Sequence, residues 1–346
     1  MALSPKASMA NTKLILPSVS VVTATYDGSL DILSECLGRV RDQDYPQDKI
    51  EIILGHGGSK EFIAPILKRY KCKVVYVPKH LQNAEYNRGV AFNRAKNNLV
   101  LILDHDNFMP TKNYLKELVQ PILIDPTIVA TESCYFHYDR SFSPLDRYYA
   151  LIGTLDPIPF YLGKADRMPQ WSKSWSLLGR SIDRGTYYEV EFDKDPRKIP
   201  TIGTNGCLMR RNLVKKYADT RPGHHYPIDV MVDVIKSGHN RFGFVKNSLI
   251  HLTGSRGLAS FLKRRFKFVN EYHFADNSKR RYSVFMPGDE AKLLLFVLYS
   301  ITLVVPTLDA IKGFKKIHDP AWFIHPLMCL GICFVYGWGT IKSKLK

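Results

Sequence analysis

Short apolar runs alternate with segments of helical spacing through the first hundred residues of this chain. Residues 19–22 (Val-Ser-Val-Val), 50–54 (Ile-Glu-Ile-Ile-Leu), 74–77 (Val-Val-Tyr-Val) and 99–103 (Leu-Val-Leu-Ile-Leu) have the length and β-branched content of buried strands. Between them, residues 31–41, 61–70 and 86–97 read as helices. Strands alternating with helices predict an α/β fold with a mainly parallel sheet covered on both faces. Ligands of such sheets bind beyond the carboxyl ends of the strands. Residues 133–198, rich in Pro, Trp and Tyr, resist regular assignment and read either as an acceptor-binding flap or as a packed irregular insertion. Regularity returns near Ile199, and a helix is predicted over 227–237, opened by Pro227 and stopped by Gly238.

Two apolar segments close the chain. Residues 293–308 hold 16 positions without a charge, marginal for a bilayer, and residues 320–341 hold 22, long enough to cross one. Trp322 and Trp338 near the ends of the second segment read as interfacial anchors. The formal charge of +17 admits nucleic acid, an anionic membrane surface or phosphorylated substrates as partners. Where the charge sits favours the membrane: Arg256, Lys263, Arg264, Arg265, Lys267, Lys279, Arg280 and Arg281 interleave with Phe261, Leu262, Phe266, Phe268 and Tyr272 just before the apolar segments. No nucleic-acid module accompanies this cluster, so no nucleic-acid partner is expected. Lysines flank the apolar pair on both outer sides, as in a hairpin with cytoplasmic ends; Lys312, Lys315 and Lys316 in the connection leave open two interfacial or re-entrant helices. Six cysteines with no Cys-x-x-Cys pair and no cysteine–histidine spacing suited to zinc point to a reducing compartment, and residues 1–16 lack the apolar core of a secretion signal.

The chemistry concentrates at Asp104-His105-Asp106, where two carboxylates one residue apart follow the fourth strand and can share a hard divalent cation with the diphosphate it neutralises. Together with Val19-Ser-Val-Val-Thr-Ala-Thr-Tyr26, the Gly58-Ser59 turn, Asn87-Arg-Gly89, Gly203-Thr-Asn-Gly206 and the late His251, this triplet resembles the pattern of glycosyltransferase family 2 on a GT-A fold. The resemblance runs over residues 17–255 and implies an inverting, metal-dependent hexosyltransferase using a nucleotide-sugar donor, a UDP-sugar in the first instance. It implies that Thr25, Tyr26, Asp27, Asn87, Arg88, Asp104, Gly203 and Asn205 serve the donor, and that Asp104, Asp106 and His251 hold Mn²⁺ or Mg²⁺. Where the family carries an acidic pair before Gly-Ser, this chain has His56-Gly57, which leaves the nucleotide open. The family's catalytic base opens a helix. Here that place is held by Asp229, favoured by the helix dipole, with Asp233 one turn on as the alternative; helix capping is the plainer role for Asp229.

These readings give four regions: a tail (1–16), a GT-A catalytic domain (17–255), a basic amphipathic interface segment (256–289) and two membrane helices (290–346). The expected enzyme sits at the membrane with its catalytic domain on the cytoplasmic face and glycosylates a lipid-linked or polyprenyl-linked saccharide. A polyprenyl-phosphate monosaccharide synthase and a catalytically degenerate GT-A scaffold are the alternatives.

Overall fold

The computed structural model describes residues 15–254, 257–269, 280–282 and 284–344. Arg256, Tyr272, Lys279 and the terminal residues 1–14 and 345–346 lie outside the described residues. The elements in chain order are β1 (Val19–Thr25), α1 (Leu30–Arg41), β2 (Ile50–His56), α2 (Lys60–Tyr70), β3 (Lys73–Tyr76), α3 (Ala84–Arg94), β4 (Leu99–Ile102), β5 (Asn107–Phe108), α4 (Tyr114–Ile124) and β6 (Ala130–Phe136). They continue with α5 (Pro144–Ile152), α6 (Pro157–Leu162), β7 (Arg180–Asp183), β8 (Tyr187–Glu191), β9 (Cys207–Arg210), α7 (Arg211–Tyr217), α8 (Pro227–Lys236), β10 (Arg241–His251), α9 (Leu258–Phe268), α10 (Glu290–Thr302), α11 (Val304–Lys316) and α12 (Ile324–Lys344).

Local chemistry explains the helix starts. The side chains of Ser29, Ser59 and Asn83 each accept a first-turn amide of α1, α2 and α3, satisfying donors that a helix leaves unpaired. The Asn83 cap starts α3 two residues before the expected position. β1 and β2 run longer than their apolar cores, so Thr25 and His56 are strand residues and not loop residues.

The sheet order is β3-β2-β1-β4-β9-β6-β10-β8-β7, with β5 paired to β10. Its first four strands are parallel, as the alternating pattern requires. Beyond β4 the sheet is mixed: β9 lies antiparallel between β4 and β6, while β10 runs parallel to β6 and antiparallel to β8. Leu33, Leu37, Ile63, Leu118 and Val119 from α1, α2 and α4 fill the core on one face, and Phe92, Val214, Val230 and Val234 from α3, α7 and α8 fill the other. A third core joins α5 and α6 to α9–α12.

The C-terminal region departs from the sequence reading in three ways. The first apolar segment is not one helix: α10 and α11 meet at 80° where Leu303 adopts a left-handed backbone, with Pro306 three residues on. Trp322 is not an interfacial anchor, because its ring is buried, stacked on Trp171 with centroids 5.0 Å apart. The apolar side of α9 is not free for lipid, since Phe261 packs edge-on to Tyr149 and Leu262 fills the space beside Gly331 of α12. Arg265 is likewise turned inward onto Asp156.

Candidate active site

The carboxyl ends of β1, β2 and β4 bring the candidate residues to one edge, and α3 packs behind them. Gly55 permits the approach, since a Cβ there would lie 1.9 Å from the Asn87 carbonyl oxygen. α3 then sends two side chains into the edge. Asn87 Nδ2 donates to the Thr25 carbonyl at 3.0 Å, and Arg88 Nη2 donates to Asp104 Oδ1 at 2.9 Å. Burial disfavours the Asp104 carboxylate, but Arg88 outweighs it and holds the carboxyl below its ordinary range.

Asp106 and His251 meet because β5 pairs with the last residues of β10, His251 lying opposite Asn107. His251 Nε2 stands 3.8 Å from Asp106 Oδ2, and Asn107 Nδ2 donates to Asp106 Oδ1 at 3.0 Å. The expected ligand set is thus split: Asp106 and His251 lie side by side, while Asp104 is committed to Arg88. Among the described residues no three His, Cys, Asp or Glu side chains are gathered to hold an ion by themselves. The oxygen and imidazole donors of Asp106 and His251 nonetheless suit Mg²⁺ or Mn²⁺, ions that routinely take remaining ligands from substrate phosphates. Buried polar atoms without a hydrogen-bond partner among the described residues cluster here: Asn87 Oδ1, Arg88 Nε, Asn107 Oδ1, His251 Nδ1 and both ring nitrogens of His225. Burial pushes His225 down to about 3. Unsatisfied buried groups are costly, and these atoms have capacity left for further hydrogen bonds.

Tyr26 is half exposed and edge-on to His105, 5.6 Å between centroids. Asp27 accepts the Ser59 amide with both oxygens, at 2.9 and 3.0 Å, and so shapes the second loop. His56, standing where the acidic pair was expected, is fully buried between Thr25 Oγ1 and the Ser59 carbonyl, 3.0 Å from each. A carbonyl can only accept, so Nε2 donates to Ser59, while the Thr25 hydroxyl lies between His56 Nδ1 and the Gly55 carbonyl. His56 is a brace between two loops, with no edge turned to a base.

Residues 20–218, more than half of the sequence, match the family model described as Glycosyl transferase family 2. The chain belongs to glycosyl transferase family 2. No curated protein matches this family 2 glycosyltransferase. Its structure is similar to that of the mannosyltransferase PcManGT from Pyrobaculum calidifontis in complex with GDP-Man and Mn²⁺, at 15% identity and a TM-score of 0.50, over 95% of this chain and 88% of that one. It also resembles S. aureus TarS 1-349 in complex with UDP-GlcNAc, at 14% identity and a TM-score of 0.46, over 88% of this chain and 78% of that one. A third similar structure is glucosyl-3-phosphoglycerate synthase from Mycobacterium tuberculosis with Mn²⁺, UDP-Glc and phosphoglyceric acid, at 15% identity and a TM-score of 0.44, over 73% of this chain and 79% of that one. The fold is GT-A.

In the family 2 glycosyltransferase, the Gly203–Gly206 loop carries backbone that only special residues adopt, with φ of +96° at Gly203, +53° at Asn205 and +80° at Gly206. It is pinned from below by a buried ion pair absent from the sequence reading. Arg167 Nη1 lies 2.6 Å from Glu132 Oε2, Arg167 Nη2 donates to the Asn205 carbonyl at 2.7 Å, and Glu132 Oε1 accepts the Gly203 amide at 2.5 Å. Asp166 is buried beside Asn205 and within electrostatic reach of His251; burial raises its carboxyl above the ordinary range although Arg167 opposes the shift. Glu132, Asp166 and Arg167 gave no signal in the sequence because their partners lie tens of residues away.

The two candidate bases are occupied. Asp229 opens α8 as expected but is fully buried, its oxygens accepting Arg280 Nη2 at 2.9 Å and the Arg281 amide at 2.7 Å. Asp233 accepts Arg281 Nε at 2.8 Å, and burial raises its carboxyl above the ordinary range against the pull of that guanidinium. Gly203 lets the loop pack closely on the start of α8, since a Cβ there would meet the Pro227 carbonyl and the Met231 side chain, each at 2.6 Å.

Proposed function

We propose that this family 2 glycosyltransferase is inverting and divalent-metal-dependent, passing a sugar from a nucleotide-diphosphate donor to a lipid-linked or otherwise membrane-presented saccharide. The observation that carries this reading is the joining of the Arg88–Asp104 pair and the Asp106–His251 pair at the carboxyl edge of the parallel strands. The similar mannosyltransferase, in complex with GDP-Man and Mn²⁺, supports a divalent ion in this reading. In this reading Asp106 and His251, with Asp104 beside them, would hold the ion, and the bound ion would offset negative charge developing on the leaving diphosphate. Tyr26 stacks on the base, Thr25 and Asn87 frame the nucleoside, and the Gly203–Gly206 loop with Asn205 faces the sugar. Asp229 takes the proton of the acceptor hydroxyl on the side away from the leaving group, which requires Arg280 to release it.

A donor-binding scaffold without transfer is the second reading, favoured by the sealing of Asp229 beneath Arg280. A panel of UDP- and GDP-sugars, each with Mn²⁺ or with chelator, separates the two. Metal-dependent thermal stabilisation by one donor, followed by nucleotide release when membrane glycolipid is added, supports the transferase. Stabilisation without release under any acceptor supports the scaffold, and no stabilisation by any donor overturns both.

A further inference from the structure

α12 is long and apolar enough to cross a membrane, about 31 Å at the usual rise. Its attachments do not allow it to do so. Near its start, the His325 ring lies 2.9 Å from the Tyr148 hydroxyl of α5 and 3.0 Å from the Tyr161 hydroxyl of α6. Two thirds of the way along, the Tyr336 hydroxyl donates to Asp156 at 2.9 Å, and Asp156 is ion-paired with Arg265 of α9 at 2.7 Å. About 16 Å of helix lies between these two anchors, and the part beyond Tyr336 adds only about 12 Å, against a hydrocarbon core of about 30 Å. Crossing the bilayer would therefore drag the Asp156–Arg265 ion pair and the parts of α5 and α6 held by His325 into lipid.

The opposite stripe of α12 is uncovered. Leu327, Phe334 and Trp338 are 54%, 70% and 61% exposed, at the seven- and four-residue spacing of one helix face. The packed neighbours α10 and α11 add Ile301 and Leu308, 65% and 58% exposed, and their 80° bend at Leu303 turns them into a shallow layer. Exposed lysines at 312, 315 and 316 border this layer on α11, in a chain of net charge +17. An apolar face with a cationic rim matches an anionic lipid surface.

We propose that α10, α11 and α12 dock flat in one leaflet of an anionic bilayer and that no helix of this platform crosses it. The inference rests on the membrane-attached part of the proposed function and gives that attachment a geometry. The test uses full-length protein with vesicles of phosphatidylcholine plus phosphatidylglycerol, or of phosphatidylcholine alone. Spin labels placed one at a time through Ile301→Cys, Leu308→Cys, Phe334→Cys and Trp338→Cys, in a Cys72→Ser/Cys333→Ser background, report depth by power saturation.

All four labels are expected at one shallow level, within about 10 Å of the headgroup boundary. A graded series running through the bilayer centre overturns the proposal. Lys312→Gln/Lys315→Gln/Lys316→Gln is expected to weaken binding to the anionic vesicles on the order of 10²-fold and to leave binding to neutral vesicles unchanged. An equal effect on both vesicles overturns the charge argument. Ile301→Glu/Phe334→Glu, both at exposed positions, should weaken binding to either vesicle by tenfold or more, on the order expected for lost apolar burial. Failure of the parent protein to bind any vesicle overturns the docking platform, while donor hydrolysis by the same preparation reports separately on the transferase reading.

Discussion

Replacing Arg167 by Met tests whether the Glu132–Arg167 pair holds the Gly203–Gly206 loop or merely fills space. Both side chains are fully buried and 2.6 Å apart, so losing the cation leaves a carboxylate in an apolar setting. Breaking such a pair costs about 3–5 kcal/mol. Arg167→Met also strips the Asn205 and Asp166 carbonyls of their donors, and the left-handed Asn205 loses the contact that fixes it. Glu132→Met removes the acceptor of the Gly203 amide as well as the negative charge.

The double variant removes both charges of the pair and leaves only Asp166 without its compensating cation, so it should be more stable than the Arg167 variant by about 1–3 kcal/mol. Its loop remains untethered. Donor turnover should therefore stay low in all three, by on the order of 10²-fold for a misplacement of about 1 Å at a reacting centre. Thermal unfolding followed by circular dichroism reads the first quantity, and nucleotide release from the donor reads the second. Parent-level turnover in the double variant would refute the positioning argument. A double variant no more stable than the Arg167 variant would refute the electrostatic one.

Three further outcomes are expected. Asp106→Asn should abolish metal-dependent donor stabilisation in a thermal-shift assay while leaving the unliganded melting temperature near the parent's, because an amide lacks the carboxylate's attraction for a divalent ion; chelator should do the same to the parent. Asp229→Asn should keep donor binding in calorimetry and lose transfer on the order of 10²- to 10⁴-fold, with Asp233→Asn as control; loss in the Asp233 variant alone would refute Asp229 and assign the base to Asp233. The Arg221 guanidinium holds Asp219 down to about 2, so the stability it confers is present above the ordinary carboxylate range and fades as pH falls toward 2. Asp219→Asn should lack that acid-side loss, measured as the difference in melting temperature between the two proteins from pH 5 to pH 2.

The parallel half of the sheet was legible because each strand carries its own apolar run and each following helix its own cap. Ser29 and Ser59 stand two residues before the starts read for α1 and α2, whereas the start that Asn83 caps lies two residues before the one read for α3. Asp104 and Asp106 were legible for the same reason, as a short motif after a strand. The mixed half was not: β9 is four residues long and takes its identity from β4 and β6 on either side. The same holds for His56, whose fixed role depends on Thr25 and Ser59, and for Arg167, whose partners are Glu132 and Asn205. Hydropathy marked the closing segments as apolar, but the bend at Leu303 and the anchoring of His325 and Tyr336 come from tertiary contacts.

The insertion of β9 between β4 and β6 bears on how the chain is born. β4 emerges from the ribosome with only β1 beside it, and the strand that completes its other side follows about a hundred residues later. At a synthesis rate of about 5–20 residues per second, the nascent sheet shows an open apolar edge for several seconds. A premature end anywhere between residues 103 and 206 releases a fragment with its nucleotide-facing strands present and that edge bare. Such fragments should aggregate rather than bind donor, so the two halves of this sheet form one folding unit despite their different strand directions.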